Sequence, residues 1–213
     1  AYAPTSGVAQ FRDCWQQELF KKNPSLNGAA LSLPVVVPGL TAGISFLADM
    51  FVNMYDAVVV PDMFWPNYRL ILEERKHATM SHYPFFNSKG GFNLEGFEKT
   101  VRASARQNGK ALVILNFPNN PTGYTPTVAE GQAIASILES VASEGFDILV
   151  IADDAYFGLQ YEDMSLHESI FALLANKHER ILAAKVDGST KEDFVWGFRG
   201  GFVTFGCKGM DRK

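Results

Sequence analysis

Two basic residues eight positions apart, Lys191 and Arg199, carry the first chemical suggestion in this sequence. Lys191 closes the short polar turn Asp187-Gly188-Ser189-Thr190, which follows the apolar run Ile181-Leu182-Ala183-Ala184. A lysine at a strand end can serve as a nucleophilic amine when burial or a nearby cation depresses its pKa. An arginine close by can hold a phosphate through two parallel hydrogen bonds. Together they suit a phosphorylated aldehyde. Taken alone, the same segment also reads as a solvated lysine on a surface turn.

Four further segments have residue types suited to a ligand. Pro38-Gly39-Leu40-Thr41-Ala42-Gly43 is a tight turn feeding a periodic apolar stretch. The exposed amides of such a helix start, with the Thr41 hydroxyl, suit an anion; the segment also reads as a plain turn. Trp65 stands just past the run Ala57-Val58-Val59-Val60-Pro61. It can lie flat on a planar ligand or fill a core or interface. Asn116-Phe117-Pro118-Asn119-Asn120-Pro121-Thr122-Gly123 can continue neither strand nor helix, so it is an ordered loop. Asp153-Asp154-Ala155-Tyr156 ends another apolar run.

The elements that would position these residues follow from periodicity. Val8, Phe11, Trp15 and Leu19 predict an amphipathic helix over 7–22, ended by Asn23-Pro24. The run 30–37 is a strand candidate weakened by Pro34. Ile44, Leu47, Ala48 and Phe51 predict a helix after the turn. Runs 57–61, 111–115, 148–152 and 181–184 predict strands, with another strand-like run at 202–205. Asn93 caps a helix carrying Leu94, Phe97, Val101 and Ala105, closed by Asn108-Gly109. The next helix starts at Thr125 with Pro126 in its first turn, or at Thr127 with Glu130 as a capping box, and closes at Gly145. Residues 69–90 show little pattern beyond the turn at 87–91, and 157–168 read as loop before a helix around Ile170, Leu173 and Leu174.

Strands and helices therefore alternate, and several strands are apolar throughout. That pattern predicts an α/β fold, a three-layer α/β/α sandwich with a mainly parallel sheet. Ligands on such sheets gather at the carboxyl ends of the strands. The segments after residues 60, 115, 152 and 184 all begin there.

Composition fits one domain or a large part of one. The chain has 213 residues, 47% of them apolar and 20% charged, with a formal net charge of −4. No long basic block invites nucleic acid, and no apolar run reaches the roughly 18 residues of a membrane span. Cys14 and Cys207 are too few and too distant for a disulfide framework; they read as ordinary buried thiols in a reducing, cytoplasmic compartment. The start at Ala1-Tyr2-Ala3-Pro4 and the end at Gly209-Met210-Asp211-Arg212-Lys213 suggest a piece of a longer protein.

In their order and spacing, Trp65-Pro66-Asn67-Tyr68, Asn120-Pro121-Thr122-Gly123, Asp153-Asp154-Ala155-Tyr156, and Lys191 followed by Gly197-Phe198-Arg199-Gly200-Gly201 resemble the large domain of the class I/II aminotransferases, which are fold-type I pyridoxal-phosphate enzymes. The resemblance covers essentially the whole chain. It implies pyridoxal 5'-phosphate as cofactor, joined to Lys191 through its aldehyde, with Asp153 beside the pyridine nitrogen. Asn120 and Tyr156 match the partners of the ring oxygen, and Trp65 matches the residue stacked on the ring. Leu40, Thr41 and Arg199 match the phosphate site. Tyr2 matches a tyrosine that reaches the phosphate of the neighbouring subunit, which implies a homodimer with shared active sites; a frayed terminus is the alternative.

The resemblance implies transfer of an amino group between an amino acid and a 2-keto acid. Trp65 resembles the aspartate and aromatic branch. Lys191 would move the proton, and Asp153 and Tyr156 would assist. In the family a serine often stands where Gly188 stands here, so Ser189 or Thr190 is expected to take over a phosphate contact. The N-terminal arm and the C-terminal small domain, with the arginine for the substrate carboxylate, are expected to lie outside residues 1–213. A β-lyase, a decarboxylase and a non-catalytic regulatory domain would use the same cofactor residues and stay open at this stage.

Overall fold

The computed structural model of the protein describes residues 2–209; Ala1 and Met210–Lys213 lie outside the described residues. In chain order the elements are α1 (Ala9–Lys22), β1 (Val35–Val37), α2 (Leu40–Phe51), β2 (Ala57–Pro61), α3 (Asn67–Arg69, running into a π-helical turn at Leu70–Glu74) and β3 (Thr79–Tyr83). After these come α4 (Leu94–Asn108), β4 (Lys110–Asn116), α5 (Val128–Ser143), β5 (Asp147–Asp153), α6 (Ile170–Leu174), β6 (Ile181–Asp187) and β7 (Gly201–Gly206).

The strands form one sheet in the order β1-β7-β6-β5-β4-β2-β3. Strands β3, β2, β4, β5 and β6 pair in parallel, while β7 is antiparallel to both β6 and β1. The central strands are buried along almost their whole length, as expected when helices cover both faces. Ile148, Val150 and Ala152 of β5 pack with Phe97 and Val101 of α4 and Ile134 and Leu138 of α5. Leu149 and Ile151 pack on the other face with Ile44 and Leu47 of α2 and with Tyr68. The expected three-layer sandwich is thus the observed one.

Local signals fix most boundaries. The Asn93 side chain accepts a bond from Gly96 N at the start of α4. Of the two possible starts for α5, the structure adopts Thr127, in a reciprocal capping box with Glu130. Such a cap stabilises a helix by about 1 kcal/mol. Three expectations needed correction. Strand β3 lies inside the weakly patterned 69–90 region; it is a polar edge strand whose exposed positions mask its period. Strand β6 runs to Asp187 rather than ending at Ala184, because the charge of Lys185 is paired inside the fold. The cysteines are not buried: Cys14 is exposed on α1 and Cys207 is partly exposed. Among the described residues no helix is long and apolar enough to cross a membrane.

Candidate functional site

The carboxyl ends of β4, β5 and β6 meet the amino end of α2 around an open cavity of about 200 Å³. Leu40, Thr41, Trp65, Asn120, Asp153, Tyr156, Lys191 and Arg199 all line it. Tyr2 does not: it is fully exposed and stands apart from the cavity of its own chain.

Asp153 is the last residue of β5 and only 3% exposed. Tyr68, three residues beyond Trp65, donates its hydroxyl to Asp153 Oδ2, and Ala155 N donates to Oδ1 at 3.2 Å. Burial raises the Asp153 carboxyl to about 6; the Tyr68 bond opposes the rise and the neighbouring Asp154 charge adds to it. Burial and the Asp153 charge hold the Tyr68 hydroxyl well above its ordinary range, so it remains a donor. Asn116, at the end of β4, fixes the adjacent backbone: Nδ2 donates to Asp153 O at 2.8 Å and Oδ1 accepts from Asn120 N at 2.7 Å. Neither Tyr68 nor Asn116 was assigned a role from the sequence. Position was the available signal, one helical turn after Trp65 and the final residue of a buried strand.

The opposite end of the cavity suits an anion. Helix α2 starts after Gly39 without a side-chain cap, and its first two residues, Leu40 and Thr41, line the cavity, so its uncapped amino end lies at the cavity wall. Gly39 has φ +97°, and a Cβ there would lie 2.8 Å from Arg199 Nη2, so the guanidinium sits directly against the helix start. Arg199 itself has φ +54° and bonds Trp196 O at 3.4 Å. Gly188, standing where the family often has a serine, is tightly surrounded. A Cβ at this position would meet Gly200 O at 3.0 Å and Leu40 Cδ1 at 3.2 Å, closer than most packed side chains come. Of the two expected substitutes, Thr190 lines the cavity, although its hydroxyl bonds Gly200 O at 3.3 Å.

Lys191 is exposed at the cavity mouth, with Nζ 5.4 Å from the centre of the Tyr156 ring. Its loop is tied to α1 by the Lys22–Glu192 ion pair at 2.6 Å. Trp65 is half-buried and meets Tyr68 edge-on at 5.6 Å. The site therefore offers an amine, a buried carboxylate with one open side, flat aromatic walls and a cationic amide cradle. Those features fit a planar, cationic ring bearing an aldehyde and a phosphate.

A model of the aminotransferase class I and II family matches residues 1–210. Curated relatives include a probable N-acetyl-LL-diaminopimelate aminotransferase of Bacillus subtilis, 26% identical over 208 residues, which covers 95% of this chain and 47% of the relative. A tyrosine aminotransferase of Dictyostelium discoideum is 27% identical over 202 residues, covering 95% of this chain and 44% of the relative. Among solved structures, an aminotransferase from Anaerococcus prevotii superposes with a TM-score of 0.85 at 22% identity, covering 98% of this chain and 50% of its own. An aspartate aminotransferase from Rhodobacter sphaeroides gives 0.76 at 20% identity, covering 97% and 50%. The chain spans about half the length of the relatives it matches.

Proposed function

We propose that this chain, which belongs to the aminotransferase class I and II family, binds pyridoxal 5'-phosphate and carries the proton-transfer machinery of an amino-group transfer between an amino acid and a 2-keto acid. The observation that carries this reading is the convergence of Lys191, Asp153 and the Arg199–α2 cradle on one cavity. When bound, the cofactor supplies an electron sink for the charge left by removal of a substrate proton.

The residues divide the remaining tasks. Leu40 and Thr41 amides, the Thr41 hydroxyl and the Arg199 guanidinium hold the phosphate. Lys191 Nζ would hold the cofactor through its aldehyde and would serve as the base and acid that moves the substrate α-proton. The Asp153 carboxylate holds a proton on the ring nitrogen, and Tyr68 keeps that carboxylate aimed. Tyr156 and Asn120 bond the ring oxygen, and Trp65 covers the ring face. Tyr2, exposed and apart from its own cavity, reaches the phosphate site of a second subunit in a homodimer. A dicarboxylic or aromatic amino acid is the proposed substrate, in line with the aspartate and tyrosine aminotransferases among the relatives.

Borohydride reduction of the cofactor-loaded protein, followed by peptide mass analysis, tests the anchor. A reduced adduct on Lys191, absent from Lys191→Ala, is expected; equal borohydride-resistant binding in both proteins would remove Lys191 from its role. Product analysis tests the reaction. A new amino acid formed only when keto acid is added supports transfer, whereas pyruvate and ammonia from a single amino acid would replace it with a lyase reaction.

A further inference from the structure

Behind the cavity, on the other face of the same strand ends, lies a buried ion cluster that the proposed reaction does not use. Lys185 is fully buried in β6. Its ammonium bonds Asp154 Oδ2 at 2.5 Å and Asp187 Oδ2 at 2.8 Å, and stands 4.6 Å over the Phe157 ring. Asp154 directly follows Asp153 at the end of β5, and Asp187 opens the loop that carries Lys191. The cluster extends in both directions to α1. Trp15 Nε1 donates to Asp187 Oδ1 at 3.0 Å. Ser169 Oγ donates to Asp154 Oδ2 at 2.6 Å, and Asn23 Oδ1, just past α1, accepts from Ser169 N at 2.8 Å.

We propose that Lys185 is a positioning residue: by bridging Asp154 and Asp187 it locks the ends of β5 and β6 together, so that Asp153 and the Lys191 loop face one cavity in a fixed relation. The inference rests on the cofactor reading of that cavity. A buried ion pair is a poor source of stability, because desolvation offsets most of the attraction and well-packed apolar residues do as well or better. Each carboxylate of this cluster belongs to a strand end that presents a cavity residue, so the bridge acts where geometry matters for the chemistry. Burial alone would lower the Lys185 ammonium, but Asp154 and Asp187 outweigh it and keep it charged. The charged groups around it are Asp153 at the end of β5, Asp154 just after it and Asp187 at the end of β6, with the Lys22–Glu192 pair near the rim.

The test compares wild type with Lys185→Met and with Asp154→Asn/Lys185→Met, each loaded with pyridoxal 5'-phosphate. The single variant keeps the apolar stem and leaves two carboxylates without their cation. The double variant removes the bridge while leaving the formal charge of the cluster unchanged, which keeps the test decisive if the single variant fails to fold. Expected for the double variant are a shifted pH midpoint of the cofactor's visible absorbance and a kcat reduced about tenfold or more at nearly unchanged KM. A wild-type midpoint and wild-type kcat, with only the unfolding midpoint lowered, would overturn the proposal and leave Lys185 a structural residue. If wild type itself gives no borohydride-trapped adduct on Lys191, the cofactor reading fails first, and Lys185 loses the role proposed for it.

Discussion

Asp153 and Asp154 are neighbours in sequence and sit in opposite environments. Asp153 faces the open cavity and is held by neutral donors, Tyr68 and Ala155. Asp154 faces the closed side, where the Lys185 ammonium and the Ser169 hydroxyl share its Oδ2. Both are buried. One has its counter-charge built into the chain; the other stands at a cavity where a cationic ligand can supply it. Alternation along a strand end is enough to send one carboxylate to the cavity and its neighbour to the closed ion cluster.

The comparison can be broken from either side. The largest effect is expected at the cavity: Asp153→Ala should lower the rate of amino-group transfer by about 10²–10³-fold while the protein still binds cofactor. Undiminished turnover would place the essential carboxylate elsewhere. A pH series on cofactor-free protein probes the same residue without catalysis. Its carboxyl is raised from 3.8 to about 6, so the fold favours the protonated form. Ionisation therefore opposes folding: the penalty is absent below about pH 3.8, grows towards pH 6 and is complete above it. Asp153→Asn lacks this penalty, so its urea stability relative to wild type should rise by about 2 kcal/mol between pH 4 and pH 7. A difference that stays flat with pH would mean that burial does not burden Asp153.

At the anion end, Arg199→Ala should weaken cofactor binding about 10–100-fold by equilibrium titration, the loss expected for charge-assisted hydrogen bonds. Unchanged affinity would assign the phosphate to the α2 amides alone. On the closed side, Trp15→Phe keeps a ring to stack on Phe202, with which Trp15 now lies 4.2 Å apart and nearly parallel. It removes the bond to Asp187 with part of the ring, so a loss of about 1–2 kcal/mol in urea stability is expected. The shift in cofactor absorbance midpoint should be smaller than for Asp154→Asn/Lys185→Met. An equal shift would make Trp15 as important to the positioning as the ammonium.

Much of the fold was legible because its signals are local. Asn93, Thr127 with Glu130, and the apolar runs of β2, β4 and β5 each state an element within a few residues. Strand β3 escaped because Thr79, Ser81 and His82 give an edge strand no continuous apolar run. The cavity residues were legible as strand-end segments and through a family resemblance. Tyr68 was visible only as part of a motif, since its bond to Asp153 spans 85 positions. Lys185 was hidden more deeply. A charged residue after an apolar run reads as the end of a strand, and nothing local announces that partners from β5 and the strand's own end will neutralise it.

By itself the sequence determined the alternation of strands and helices, the identity of the chemical groups and their placement at strand ends. These follow from side-chain periodicity and turn chemistry within short windows. Only the tertiary structure decided which face each group takes and what neutralises it. It set Asp153 against Tyr68 and Asp154 against Lys185, laid Arg199 on the start of α2, and packed Gly188 closely against Gly200 and Leu40. Those outcomes depend on burial and on partners far away in sequence, and burial and distant partners set the charge and geometry of a site.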